Sequence, residues 1–291
     1  MKTIRIEAPA KINLTLDVLR KRPDGYHDMS MVMQTIQLCD ILHLEEIHEG
    51  IQVFCSDPRI PCDRSNLVYK AAETLMKHGG LQKGIRIHIE KHIPLEAGLA
   101  GGSADAAAVL KGLATMWGLP DNLEEWMALG NTIGADVPFC LMGGTALAEG
   151  TGNVLTPLTS LPHYHVVLVK PGFGISTGKA FSTLDLNGLG PRPDNEKMRE
   201  ALQTADRAAI EAGLVNVFEQ GAFKEHPVLK DIKKQLLEQG AQASLMSGSG
   251  PTMYGLFRSK ERAMEAHEHF RHIYEEVFLT ETSDQTKGEE L

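Results

Sequence analysis

Polar and apolar residues alternate through residues 3–8 and again through residues 11–19, the period of two that marks a half-buried strand. Pro9 stands between them, so two strands are expected. In the second, Lys11, Asn13, Thr15 and Asp17 share one face. Four polar groups in a row make either a solvated sheet surface or the wall of a cleft. The turn signal Pro23-Asp24-Gly25 follows, and residues 29–44 return as a strand pair or one long bent strand. Residues 51–55 and 85–91 also read as strands. Between them Ser65-Asn66 caps a helix over residues 67–78, apolar at Leu67, Ala71 and Leu75 and ended by Gly79-Gly80.

Strand 85–91 runs into the stretch Pro94-Leu95-Glu96-Ala97-Gly98-Leu99-Ala100-Gly101-Gly102-Ser103-Ala104. The glycines and alanines leave a loop with little side-chain bulk. Ser103 then reads as the N-cap of an alanine-rich helix to about Trp117-Gly118, with Asp105 suited to its positive end. Such a loop offers unpaired amides to an anion. It equally makes a tight helix start with close backbone packing. No Lys follows the glycines and no G-x-G-x-x-G occurs, so neither the P-loop nor the dinucleotide fingerprint applies.

A second helix spans 123–133, stopped by Gly134, and a short strand runs through 143–148. Pro157, Ser160 and Pro162 mark a boundary, dividing the chain into domains 1–157 and 158–291. The second half predicts a buried strand 165–170, a loop 173–180 and a Pro/Gly linker 188–194. Helices are expected over 196–211, 227–239 and 260–274, and strands over 243–246, 253–257 and 277–282. The polar tail from Ser283 is expected to be disordered. Several strands precede the first helices, which points to α+β rather than a doubly wound sheet.

The net charge of −9 argues against a nucleic-acid partner. No apolar run is long enough to span a membrane. The charged N-terminus lacks a signal-peptide core, so a cytoplasmic location is expected. The four cysteines form no C-x-x-C pair and read as reduced thiols. His267, His269 and His272 lie on a charged helix with no metal-ligand pattern. The alternating Met29, Met31 and Met33 read as sheet packing.

Three segments stand in order: AKINL at the start, PLEAGLAGGSADAAA in the middle and SLMSGSGPTMYGLF near the end. With them the chain resembles the GHMP kinase superfamily. The longer stretches APAKINLTLDVLRKRPDGYHDMSMV and GADVPFCLMGGTALAEG resemble the branch that phosphorylates a CDP-linked methylerythritol. The resemblance implies a two-domain fold. Its N-terminal domain is similar to domain 2 of ribosomal protein S5, its C-terminal domain is ferredoxin-like, and the active site lies between. It implies transfer of a phosphoryl group from ATP to the 2-hydroxyl of the methylerythritol part, in the non-mevalonate route to isoprenoids.

The resemblance makes Asp136 the catalytic base and Lys11 its cationic partner. By residue type alone the first is a turn cap and the second a solvated strand lysine. Residues 94–104 are implied to wrap the ATP phosphates, although Ala104 stands where the commoner family form has a second Ser. Tyr26 and His27 match the cytidine-binding pair, and Phe181 the aromatic on the base's other face. Asn13 and Thr177 match contacts to the polyol and diphosphate. Asn66 is either a nucleotide contact or simply a helix cap. Ser247-Gly248-Ser249-Gly250 is implied to close the cleft from the second domain. Mg²⁺ is expected with ATP, held mostly by phosphates and water; no protein ligand is assigned, and Glu96 lies nearest. The expected partners are ATP and the CDP-linked substrate alone, on a monomer or weak dimer. Homoserine or mevalonate kinases, and a non-catalytic nucleotide-binding protein, are the rival readings. Tyr26-His27 speaks against the first two, and retention of both Lys11 and Asp136 against the last.

Overall fold

Pro9 does not end the first strand. In the computed structural model, which describes residues 2–182, 184–186 and 188–284, one strand β1 (Thr3–Lys21) turns back as β2 (His27–Ile47). A register shift between Pro9 and Lys11 forms a bulge, which accommodates the residue without an amide donor. There follow β3 (Ile51–Cys55), α1 (Leu67–His78), β4 (Gly84–Glu90), α2 (Gly101–Trp117), α3 (Leu123–Ile133), α4 (Val137–Met142), β5 (Thr145–Gly150) and β6 (Val154–Pro157). The rest of the chain adds β7 (His165–Lys170), α5 (Thr177–Ser182), α6 (Asn195–Gln203), α7 (Arg207–Ala212), β8 (Val215–Asn216), α8 (Glu219–Glu225), α9 (Val228–Glu238), β9 (Ala243–Met246), β10 (Met253–Phe257), α10 (Lys260–Arg271) and β11 (Glu276–Glu281).

Two sheets organise these elements. The first runs β3-β4-β2-β1-β8, with β5 and then β6 continuing from the other part of β2. The second is antiparallel, in the order β11-β7-β10-β9. β8 comes from the second half of the chain yet pairs in parallel with Thr15 and Leu16 of β1.

Helix α2 is buried on nearly every side, as expected of a helix apolar all round. Its small residues set how closely it sits on the sheet. A Cβ on Gly112 would lie 2.5 Å from Leu44 Cδ1.

Ser103 does not cap this helix. The cap is Ala100, in the left-handed region at φ 59°, with no side-chain bond. Asp105 is likewise not a first-turn acid but a buried one. The helix expected over 196–211 is two helices, broken where Ala205 turns left-handed at φ 50° and Asp206 caps α7 through Ala209 N. Within the expected loop 173–180, α5 begins at Thr177. The tail is anchored at its start. Ser283 N donates to Thr35 O at 3.0 Å and Gln34 Nε2 to Ser283 O at 2.8 Å; residues 285–291 lie outside the described residues.

The polar row of β1 is not a solvated surface: Lys11, Asn13, Thr15 and Asp17 are all buried. Buried polar groups need partners, and the second half of the chain supplies them. Gly248 N donates to Asn13 Oδ1 at 3.0 Å, Thr15 Oγ1 to Asn195 Oδ1 at 2.6 Å, and Arg192 Nε to Asp17 Oδ2 at 3.1 Å. Tyr254 adds its hydroxyl, bonded to Asn13 O at 2.8 Å. The row is the seam between the two halves.

Candidate active site

A cavity of about 770 Å³ opens along one end of this seam, within the size range of small-molecule sites. Residues 94–103, Tyr26, His27, Thr177, Phe181, Lys11 and Asp136 all line it. Asn13 and Ala104 do not. Asn13 is fully buried behind Lys11, and Ala104 faces the core.

The loop before α2 alternates in handedness. Glu96, Gly98 and Ala100 have φ of 49°, 74° and 59°, while the residues between do not. Such alternation turns successive amides toward one side, the geometry of an anion-binding nest. At its end the amides of Gly101, Gly102 and Ser103 have no helical carbonyl to bond. A left-handed non-glycine residue costs about 1–2 kcal/mol, so two in one loop are held by their surroundings.

Those surroundings are Lys11 N, which donates to Leu99 O at 3.2 Å, and Ser247 Oγ, which donates to Gly98 O at 3.0 Å. Ser247 and Gly248 belong to the Ser-Gly loop between β9 and β10, which therefore packs on the loop before α2. Asn216 Nδ2 secures that second loop by donating to Met246 O and Gly248 O, both at 2.8 Å.

Lys11 Nζ lies 3.9 Å from Asp136 Oδ2 and donates to Asn13 Oδ1 at 2.8 Å. The strand carries Lys11, and Asp136 sits just before α4, beside the first turn of α2. Asp136 stands at the cap position of α4, but its side chain makes no capping bond. It points to the cavity with a third of its side chain exposed, whereas the Lys11 side chain is buried. Asn66 does act as a cap, accepting from Val68 N at 2.9 Å.

At the other end, Tyr26 stands at the tip of the β1–β2 hairpin, two-thirds exposed. The His27 and Phe181 rings stack at 4.8 Å, 23° from parallel, which leaves no room for a third ring between them. A base stacking on that face of Phe181 must displace the imidazole. Thr177 Oγ1 lies 3.3 Å from Ser249 Oγ, tying α5 to the Ser-Gly loop. Met29 and Met31 line this end of the cavity, so they do more than pack the sheet; Met33 is core.

Sequence reasoning missed Lys91. Its ammonium lies between Asp40 and Asp105, bonding Asp40 closely and Asp105 Oδ2 at 2.8 Å. Asp40 also accepts from His92 N at 2.6 Å and Ile93 N at 2.8 Å. One cation thus joins β2, the chain before the loop and α2. The available signal was Asp105 itself, an acid in an otherwise apolar helix.

Two carboxylates share one ammonium here, and burial dominates. Desolvation pushes the Asp105 carboxyl up to about 8, against the pull of Lys91. An acid with a raised folded pKa binds its proton more tightly folded than unfolded. Stability therefore falls as pH rises from its unfolded value of 3.8 toward about 8, then levels. Thermal melts of the wild type should fall through this window, and Asp105→Asn, neutral at every pH, should flatten that part of the profile. An unchanged slope would show that Asp105 does not carry the proton.

Two family models match the chain: the GHMP kinases N terminal domain over residues 66–144 and the GHMP kinases C terminal domain over residues 198–276. With the cavity and its amide-rich loop between the two halves, the chain belongs to the GHMP kinases. Within that family it is 45% identical over 284 residues to the 4-diphosphocytidyl-2-C-methyl-D-erythritol kinase of Alkaliphilus oremlandii, covering 97% of each chain. A solved 4-(cytidine 5'-diphospho)-2C-methyl-D-erythritol kinase superposes with a TM-score of 0.83 at 34% identity, over 97% of this chain and all of that one. Homoserine kinase from Cytophaga hutchinsonii shares the fold, with a TM-score of 0.78 at 19% identity, over 100% of this chain and 97% of that one.

Proposed function

We propose that the protein transfers the γ-phosphoryl group of ATP to the 2-hydroxyl of 4-diphosphocytidyl-2-C-methyl-D-erythritol, giving the 2-phosphate and ADP, as a step of isoprenoid synthesis. The observation that carries this reading is the meeting of Lys11 and Asp136, 125 residues apart in sequence, beside an amide nest in one cavity. The identity to kinases of that name supplies the substrate.

The nest and the first turn of α2 hold the triphosphate. Asp136 accepts the proton of the attacking hydroxyl. The hydroxyl oxygen bonds to the γ-phosphorus as the bond to the bridging oxygen breaks and ADP leaves. Lys11 offsets charge on the phosphoryl oxygens. Asn13 acts through Lys11, holding its ammonium and the amide of Gly248 on one oxygen. The cytosine stacks on Phe181 and Tyr26, with His27 at its edge and Thr177 near the diphosphate.

The oxygen donors on the cavity wall suit Mg²⁺, a hard cation: the Ser103 hydroxyl and the Glu96 carboxylate are the groups that would hold it. Bound with ATP, Mg²⁺ neutralises phosphate charge. A domain boundary at 157/158 is supported by the end of β6 at Pro157 and the start of β7 at His165, although β8 returns to the first sheet. The four free thiols suit a reducing, cytoplasmic setting; among the described residues no helix is long and apolar enough to cross a membrane.

Purified protein with ATP and Mg²⁺ should release ADP when the CDP-linked substrate is added, and not with the free polyol. Equal turnover with the polyol would remove the cytidine assignment. Phe181→Ala should raise KM for the CDP-linked substrate about 5- to 150-fold, the equivalent of ~1–3 kcal/mol of stacking, with KM for ATP unmoved. A change confined to ATP would place Phe181 at the other end of the cavity.

A further inference from the structure

Away from the cavity, at the edge of the second sheet, three metal-competent side chains converge. His165 and Glu281 are cross-strand partners of β7 and β11, and His163 lies just before β7. His163 Nε2 is 3.0 Å from one oxygen of Glu281, and His165 Nδ1 is 3.0 Å from the other. All three ligand atoms lie within 4.8 Å of one another, and no other such group of three occurs among the described residues.

We propose that His163, His165 and Glu281 form a binding site for a divalent transition ion of the Zn²⁺ class. Two imidazoles and a carboxylate are ligands for such ions rather than for Mg²⁺. The site is therefore chemically separate from the ATP-linked cation.

The backbone beneath is fixed. Thr282 N donates to Tyr164 O, and Tyr164 N to Thr282 Oγ1, both at 3.0 Å. The site is open at one side, since His163 is half exposed and Glu281 one-third exposed, while His165 is mostly covered. Without an ion, the two ring N–H groups are satisfied by the carboxylate. On binding, each ring carries its proton on its other nitrogen and presents a lone pair to the metal, so both imidazoles bind as neutral ligands and the carboxylate offsets one of the ion's two charges. Around the site, Arg207 Nη1 bonds the His163 carbonyl at 3.0 Å, a cation that lowers affinity. Glu261, close enough to His165 to sense its charge, acts in the opposite direction. An ion here staples the end of β11 to β7, next to the bridge between Thr282 and Ile36 of the first sheet.

The full chain, stripped with a chelator, is titrated with Zn²⁺ by calorimetry and with Co²⁺ by absorption. One saturable site per chain is expected, with visible cobalt bands and no intense near-ultraviolet thiolate band. Zn²⁺ should raise Tm by mass action. His163→Ala and Glu281→Gln should each weaken binding roughly tenfold or more and abolish the Tm rise, while His267→Ala changes neither. Turnover with Mg²⁺ and ATP should be the same in His163→Ala as in wild type. No saturable binding would leave a surface ion pair only. A thiolate band, or binding indifferent to His163→Ala, would put the ion elsewhere. Either result overturns the site without touching the kinase reading.

Discussion

Asp136→Asn should lower kcat by about 10²–10⁴-fold, the range for loss of a positioned proton acceptor. KM for ATP should stay near the wild-type value. The amide is nearly the same shape, and the carboxylate it replaces makes no capping bond to α4, so the helix start is kept. What is removed is the ability to take up a proton and the 3.9 Å ion pair to Lys11 Nζ. Steady-state kinetics with both substrates, together with a melt of the variant, separate these effects. A kcat near wild type would take Asp136 out of the proton step and leave the Lys11 ammonium as the sole charged group at the reacting centre.

Gly98→Ala should unfold or cripple the enzyme. The residue sits at φ 74°, and a Cβ there would lie 2.1 Å from the carbonyl oxygen of Ser247. Both obstacles are backbone, so no side chain can move aside. A loss of about 3 kcal/mol or more is expected, at the upper end for a point change, together with at least a tenfold rise in KM for ATP where the protein survives. Gly102→Ala is the informative contrast. Its nearest neighbour would be Leu67 Cδ1 at 3.7 Å, and alanine favours a helix, so Tm should hold. The methyl group nevertheless stands on the cavity wall. A raised KM for ATP with unchanged Tm would mark close phosphate approach at Gly102, and unchanged kinetics would move the phosphates away from it.

Strand alternation and glycine punctuation were readable in the sequence because they depend on neighbours a few residues apart. The strand at 165–170 and the helix at 67–78 fall where the pattern put them. What failed was set by distant partners. β1 passes through Pro9 because a bulge against β2 removes the need for its amide. The 196–211 helix breaks because Ala205 adopts a left-handed turn that composition does not reveal. The four-residue polar row of β1 was the sharpest ambiguity. Its alternation is the same whether water or protein covers it, and only the folded chain shows Gly248, Asn195 and Arg192 doing so. The Lys11–Asp136 meeting was likewise invisible to spacing and came from family resemblance alone.

That seam has a bearing on how the enzyme is made. Lys11 leaves the ribosome well before the Ser-Gly loop does, yet the group that orients it, Asn13, takes its second bond from Gly248. A nascent chain holding only the first sheet carries a line of thirsty polar groups on its central strand. Competence to transfer phosphate thus arrives late in synthesis, when the Ser-Gly loop closes over work begun more than two hundred residues earlier.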